Sequence, residues 1–249
     1  ELKKRAMAIF EGRKRRGGSV FLQMHGDYLR AKDSVLLGPV LAKAGDTSNT
    51  YDIMFADTCQ KINRRGVDHE RIVIVTKTHM HLISPPLSKP VGKFACPITA
   101  LQGLSMSTMA DGVVIVHTAE VDQLIILNKK AELATVLLRQ RQTLGAPELP
   151  LSFSDTITHK VRGQGILPSR SLTEITVMFQ ESAQCPRRTI QHHFEAGNKR
   201  KLIIEVPPDM CSQARYQLNN RISTGRAVRA IAAEVRTGAA ASAPKASPL

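Results

Sequence analysis

Apolar residues recur at two different spacings along the chain, and the spacing changes near Tyr51. Before it, Leu2, Ala6, Ile9 and Phe10 fall near i, i+4, i+7 and i+8, which predicts a basic amphipathic helix over residues 2–16. Lys3, Lys4, Arg5, Arg13, Lys14, Arg15 and Arg16 surround that stripe, and Gly17-Gly18 should end it. A second short helix is predicted from Asp33 to Ala44, where Val35, Leu36, Val40 and Leu41 keep helical spacing despite Pro39, with a loop over residues 45–49. After Tyr51 the pattern becomes short β-branched and apolar segments divided by turn residues, which predicts an antiparallel meander. Seven strands are expected: 53–63, 71–76, 80–84, 91–96, 99–105, 112–118 and 123–128. The first two are joined by Arg64-Arg65-Gly66-Val67-Asp68, the third and fourth by Pro85-Pro86-Leu87-Ser88-Lys89-Pro90. A helix then runs from Lys129 to Thr143, with Leu133, Val136, Leu137 and Leu144 on one stripe, Lys130, Glu132, Arg139 and Arg141 elsewhere, and Gly145 and Pro147 as stop signals.

A further β-rich stretch follows at 151–161, 172–180 and 201–206, divided by Gly163-Gln164-Gly165 and by a polar, basic loop over residues 187–201. These strands are expected as additions to the first sheet. Residues 210–235 carry a weak helical pattern, and the Ala, Ser and Pro content from Gly238 reads as a disordered tail. The expected organisation is a basic helical extension over 1–50, a barrel with its closing helix over 51–145, additional strands over 146–207, and a helical then disordered tail over 208–249.

Charge sharpens this picture. The 249 residues hold 35 Lys plus Arg against 21 Asp plus Glu, a formal net charge of +14, which points to an anionic partner. No run approaches the roughly 18 consecutive apolar residues of a membrane-spanning helix. Cys59, Cys96, Cys185 and Cys211 form no C-x-x-C pair, which fits reduced thiols in a cytoplasmic setting. The first residues carry neither an initiator Met nor a signal or acylation pattern, so a fragment of a longer protein is expected. No nucleophile elbow, P-loop or zinc-protease helix occurs, so the expectation is a binding domain and not an enzyme. His79 with His81, and His192 with His193, lack an evident third ligand and read as ordinary histidines; neither a metal nor a cofactor is expected.

Three segments in order, Ala8 to Arg16, Gly26-Asp27-Tyr28-Leu29, and Phe55-Ala56-Asp57-Thr58 running into Gln60 to Gly66, resemble the tail homology domain of class I myosins. Arg71 to Thr76, Ser105 to Asp111 and Lys129-Lys130-Ala131-Glu132-Leu133 continue the resemblance in register, over roughly residues 6–206. It implies a mainly β, α+β fold: a pleckstrin-homology-like, partly open seven-stranded barrel with a closing helix, with extra strands and the basic N-terminal helix added. It also implies that phosphoinositide or other anionic phospholipid headgroups are held by Lys61, His69 and Arg71, with Arg64 and Arg65 above them on the hairpin. His69 stands where the family pattern has a Lys or Arg, and the Trp often found in the closing helix is absent.

Converging Lys and Arg donors are what a multiply charged phosphate needs, and a strand-turn-strand brings them to one mouth. Arg13, Lys14, Arg15 and Arg16 are candidate auxiliary contacts to an anionic leaflet. A calmodulin-like light chain is the competing occupant of that basic helix. The implied setting is cytoplasmic, peripheral on membranes and at the actin cortex, with actin reached through the motor of the parent protein. Nucleic acid is the runner-up partner on charge alone, but 7 Phe, 3 Tyr and no Trp supply no stacking pair on adjacent strands, so none is expected. A protein-interaction scaffold is the third reading.

Overall fold

The computed structural model describes residues 2–14, 24–162, 172–182, 189–194 and 200–206. Among the described residues two helices precede the strands, α1 (Leu2–Phe10) and α2 (Leu37–Lys43). Helix α1 is shorter than its basic run suggests, because Gly12 takes φ 71 and the amides of Arg13 and Lys14 both turn back to the Phe10 carbonyl at 3.2 Å. Ala6 and Phe10 are buried, with α1 packed on the closing helix, so the apolar stripe is used inside the molecule. Helix α2 begins only at Leu37, after a 3₁₀ turn at Ala31–Asp33, and keeps Pro39 in its first turn, where no amide donor is needed.

The meander is β1 (Phe55–Ile62), β2 (Asp68–Val75), β3 (His79–Ser84), β4 (Val91–Pro97), β5 (Gly103–Met106), β6 (Val113–His117) and β7 (Gln123–Ile126). Their order is β4-β3-β2-β1-β7-β6-β5, so the first and last strands pair while β4 and β5, neighbours in sequence, lie far apart in the sheet order. That arrangement, followed by α3 (Lys130–Thr143), is a pleckstrin-homology-like, partly open barrel with a closing helix. Helix α3 ends as its stop signals require: Gly145 takes φ 67, and the Ala146 amide reaches back to the Arg141 carbonyl at 3.2 Å.

Two strands explain why the sequence reads as unbroken apolar runs and not as strict alternation. In β2, Val73 and Val75 face the barrel core while Ile72 and Ile74 pack in a second cluster with Leu37 and Leu41 of α2. In β6, Val114 and Val116 face the barrel core while Val113 and Ile115 pack with residues of a second sheet. Both faces are therefore covered, and both must be apolar.

The added strands do not all extend the barrel sheet. Only β8 (Leu151–Phe153) does so, parallel to β5. The chain breaks at Asp155, whose carboxylate accepts the Thr108 amide at 2.8 Å and the Thr108 hydroxyl. It then forms a separate sheet from β9 (Thr156–Arg162), β10 (Leu172–Glu181), β11 (Thr189–Phe194) and β12 (Arg200–Val206), in the order β11-β12-β10-β9. Strand β11 lies inside the stretch expected to be a basic loop. Ile157, Val161, Val177 and Ile204 join this sheet to the outer face of β6 and β7. The predicted helix and tail over 208–249 lie outside the described residues.

The landmark Gly26-Asp27-Tyr28-Leu29 stitches the N-terminal segment to the barrel. Gly26 takes φ 75, and a Cβ there would stand 2.7 Å from the Met54 carbonyl oxygen, so only glycine fits. Its amide donates to Glu132 of α3 at 2.8 Å, the Tyr28 hydroxyl donates to the other oxygen of the same carboxylate, and the Asp27 carboxylate accepts the amides of Leu29 and Ala31. Glu132 and Arg141, which helical spacing places off the apolar stripe, are both buried; the Arg141 guanidinium donates to the carbonyls of Ile98 and Leu101 across the gap between β4 and β5.

Candidate functional site at the open end of the barrel

The hairpin between β1 and β2 is fixed from within. Asn63 Oδ1 accepts the amides of Arg65 at 2.7 Å and Val67 at 3.1 Å, the Gly66 amide donates to the Asn63 carbonyl at 2.9 Å, and Gly66 takes φ 72. Arg65 and Val67 are left exposed at the tip. Strand pairing then sets the side chains below. Lys61 lies directly across from His69, and Arg71 across from Cys59, so all four share one face of the hairpin. That face continues through Val73 and Cys59 into the barrel core, which places Lys61, His69 and Arg71 at its mouth.

Lys61 is half-buried and has no hydrogen-bond or ion-pair partner among the described residues; burial first, then the Arg71 charge beside it, pushes its pKa down. Arg71 donates from Nη1 to its neighbour's carbonyl, Glu70 O, at 2.6 Å, and its buried Nε has no partner. His69 is engaged by the hairpin itself, with Nε2 2.9 Å from Asn63 Nδ2. Arg64 donates to the Arg162 carbonyl at 3.2 Å and so ties the hairpin to β9 of the second sheet.

Lys61, Arg64 and Arg65 border an open cleft of about 860 Å³. Its lining runs from Lys61, Arg64 and Arg65 to Lys93 on β4, the turn between β6 and β7, and His159, Val161 and Arg162 on β9. Lys93 reaches it from a β-bulge: Leu82 pairs with Phe94 and Ile83 with Gly92, leaving Lys93 as the extra residue. Five cations, Lys61, Arg64, Arg65, Lys93 and Arg162, line the cleft against the carboxylates of Glu120 and Asp122, so it is net positive. Asp122 is already consumed, accepting from the Thr118 amide at 3.0 Å and the Lys160 amide at 2.8 Å and bonding His117 Nδ1 at 2.9 Å.

Sequence reasoning missed Lys93, Gln123, His159 and Arg162, since a bulge and a second-sheet contact leave no local pattern. The auxiliary group is dispersed. Arg13 is exposed, its guanidinium 6.0 Å from the Phe153 ring, and Arg15 and Arg16 lie outside the described residues. Lys14 is no surface contact: its Nζ donates to the Ser107 carbonyl at 2.7 Å, the Ser107 hydroxyl at 2.9 Å and Asp111 at 3.1 Å. That cage is the loop from β5 to β6, at the opposite end of β6 from the turn that lines the cleft. The His79 and His81 pair converges on Asp46, with His81 Nε2 2.7 Å from a carboxylate that also accepts the Thr76 and Thr78 hydroxyls.

A pleckstrin-homology-like barrel with a positively charged open mouth is the class that fold and site define. A family model described as unconventional myosin tail, actin- and lipid-binding, matches residues 15–208, and the chain belongs to that family. Its relatives place it as a class I myosin tail homology domain. Myosin IB heavy chain of Dictyostelium discoideum is 28% identical over 144 residues, covering 56% of this chain and 12% of that one. Myosin heavy chain IB of Acanthamoeba castellanii is 28% identical over 167 residues, 64% of this chain and 14% of that one. Unconventional myosin-Ia of Bos taurus is 26% identical over 166 residues, 63% and 15%. The matched stretch thus spans a small part of the length of these relatives. Among solved structures, the N-terminal PH domain of human ARAP2 is 11% identical with a TM-score of 0.32, covering 39% of this chain and 86% of that one.

Proposed function

We propose that this tail domain docks a class I myosin onto anionic membrane through the open end of its barrel, with a phosphoinositide headgroup seated in the cleft. The observation that carries this reading is Lys61, a half-buried cation in a net-positive cleft without a partner among the described residues, with the orphaned Nε of Arg71 on the same hairpin face. Buried donors are nearly always satisfied, so the orphaned Arg71 Nε, on the same hairpin face as a half-buried ammonium with no counter-ion, marks where an anionic acceptor belongs. Arg64, Arg65 and Lys93 surround the mouth and add long-range attraction. The motor ATPase of the parent protein lies elsewhere in this reading, and the domain acts at the cytoplasmic membrane face and actin cortex. The apolar stripe of α1 is already packed on α3, which favours the lipid reading over a calmodulin-like light chain on that helix.

Co-sedimentation tests the proposal. The chain should pellet with phosphatidylserine-containing vesicles and not with phosphatidylcholine vesicles, and raising salt from about 0.15 to 1 M should release most of it as the screening length falls from about 8 to 3 Å. Equal pelleting with neutral vesicles, or displacement by stoichiometric RNA, would overturn it.

A further inference from the structure

Among the described residues, three buried side-chain polar atoms have no hydrogen-bond partner: Arg71 Nε, Gln123 Oε1 and His159 Nδ1. Orphans of this kind are rare and costly, and scattered ones carry little meaning. These are not scattered. Gln123 and His159 both line the same cleft as Lys61, and Arg71 shares the Lys61 face of the hairpin. Gln123 and His159 are each 3% exposed, so neither is satisfied by bulk water.

Their chemistry differs from that of the cations. Gln123 donates its amide to the Val121 carbonyl at 2.9 Å, which leaves the side-chain oxygen as a buried acceptor without a donor. Burial holds the His159 imidazole well below its ordinary pKa, at about 4, so the ring is neutral near pH 7 and offers one donor and one acceptor. A fully ionised phosphate has no proton to give Gln123 Oε1. An ammonium group has, but Lys61, Lys93 and the arginines repel it. A hydroxyl satisfies both residues, since it donates and accepts.

The two residues sit where the barrel meets the second sheet. The Asp122 amide donates to the Lys160 carbonyl at 2.9 Å and the Lys160 amide returns to the Asp122 carboxylate at 2.8 Å, which fixes the start of β7 against β9. We infer that Gln123 and His159 form a second pole of the headgroup cleft, contributed jointly by the barrel and the added sheet, which reads the free hydroxyls of a phosphorylated polyol. This rests on the lipid reading above. The division of labour is then explicit: Lys61 and Arg71 hold phosphate, and Gln123 with His159 discriminates a hydroxylated ring from a headgroup that is merely anionic. The second sheet thereby becomes part of the binding site as well as a structural addition.

The test compares vesicles containing phosphatidylserine with vesicles containing phosphatidylinositol 4,5-bisphosphate at matched surface charge, using the full chain. The wild-type protein should prefer the second. His159→Leu, and separately Gln123→Met, should lower affinity for the phosphoinositide vesicles about tenfold more than for the phosphatidylserine vesicles, while Thr158→Ala, on the exposed face of β9, changes neither. His159→Leu should also melt at or above the wild-type temperature, since it removes an orphaned buried nitrogen. Equal losses on both vesicle types, or none, would overturn the second pole. Soluble inositol 1,4,5-trisphosphate separates the sources: a His159-dependent thermal shift extends the pole to the free headgroup, and a response to vesicles alone assigns it to the lipid-borne one. Wild-type protein that binds both vesicle types equally removes the pole and leaves the lipid reading standing. Wild-type protein that binds neither removes both.

Discussion

Asp111→Ala should cost about 3 to 5 kcal/mol of folding stability, the range for breaking a buried ion pair by removing one partner. Asp111 is the shared counter-ion of two lysines from distant parts of the chain: Lys14 Nζ stands 3.1 Å from one carboxylate oxygen and Lys130 Nζ 3.8 Å from the other. The Lys14 and Asp111 side chains are each 2% exposed. Burial pushes the Asp111 pKa up, but Lys130, Lys14, the Ser107 hydroxyl and the Val113 amide outweigh it, and the net direction is down. Burial drives both lysine pKa values down, against the pull of Asp111. Without that carboxylate two cations remain in a desolvated space, with the Ser107 oxygens and the more distant Asp155 charge to face.

The pH dependence has a definite sign. A lysine whose folded pKa lies below its unfolded value of about 10.4 burdens the fold fully below the folded pKa, and the burden fades as pH rises toward the unfolded one. The unfolded values cancel between variant and wild type, so the Asp111→Ala deficit should be largest in mildly acidic to neutral solution and narrow as pH rises through the folded lysine values, about 7 for Lys130, as read from urea midpoints. Lys14→Met should cost less, because Asp111 keeps Lys130. A neutral-pH deficit below about 1 kcal/mol for Asp111→Ala would mean that the cage is water-filled and contributes little to holding α1 on the barrel.

The second large effect concerns binding. Lys61→Ala combined with Arg71→Ala should weaken binding to anionic vesicles about a hundredfold. Each cation near an anionic leaflet contributes roughly 1 kcal/mol, and a partly desolvated donor meeting phosphate adds more, so about 3 kcal/mol for the pair converts to that factor. Folding should be little affected, because the Lys61 ammonium and Arg71 Nε have no partner to lose and the one Arg71 bond is an exposed contact to the adjacent Glu70 carbonyl. A control of equal charge is available at the other end of the strands. Lys77 lies in the turn from β2 to β3, and Lys43 lies in the last turn of α2, three residues before Asp46, which is bonded to Thr76 and Thr78 near that turn. Lys43→Ala with Lys77→Ala should lower binding only a few-fold. Equal losses in the two double variants would show that net charge alone sets affinity and that the cleft has no special part.

How much of this was legible in the sequence follows the range of the interactions. The seven strands and the closing helix depend on short-range patterns, such as Ile72-Val73-Ile74-Val75, Val113-Val114-Ile115-Val116 and the Gly145 stop, and those emerge from the chain directly. The hairpin geometry was equally local, since Asn63, Gly66 and Val67 make the turn among themselves. The cage around Lys14 was not, because its partners are 93 and 97 residues away, and an isolated lysine in a basic run carries no mark of burial. For the same reason Glu132 and Arg141 read as polar-face residues of a helix, although each is buried against backbone from another element. Strand β11 escaped notice because Gln191-His192-His193 breaks the apolar alternation within a basic stretch. The break between β8 and β9 was hidden because its cause, Asp155 turning to Thr108, is a tertiary contact.

The central claim is positional: the end of the barrel bearing the hairpin, the corner from β3 to β4 and the turn from β6 to β7 is the end that meets the membrane. Amide hydrogen exchange of the full chain, with and without phosphatidylserine vesicles at physiological salt, tests it most directly. The account predicts vesicle-induced protection over residues 63–67, 86–93 and 118–122, with the turn at 76–78 and the loop at 107–112 unchanged. Protection confined to α1, or to the second sheet away from β9, with the hairpin exchanging as it does in free solution, would contradict it.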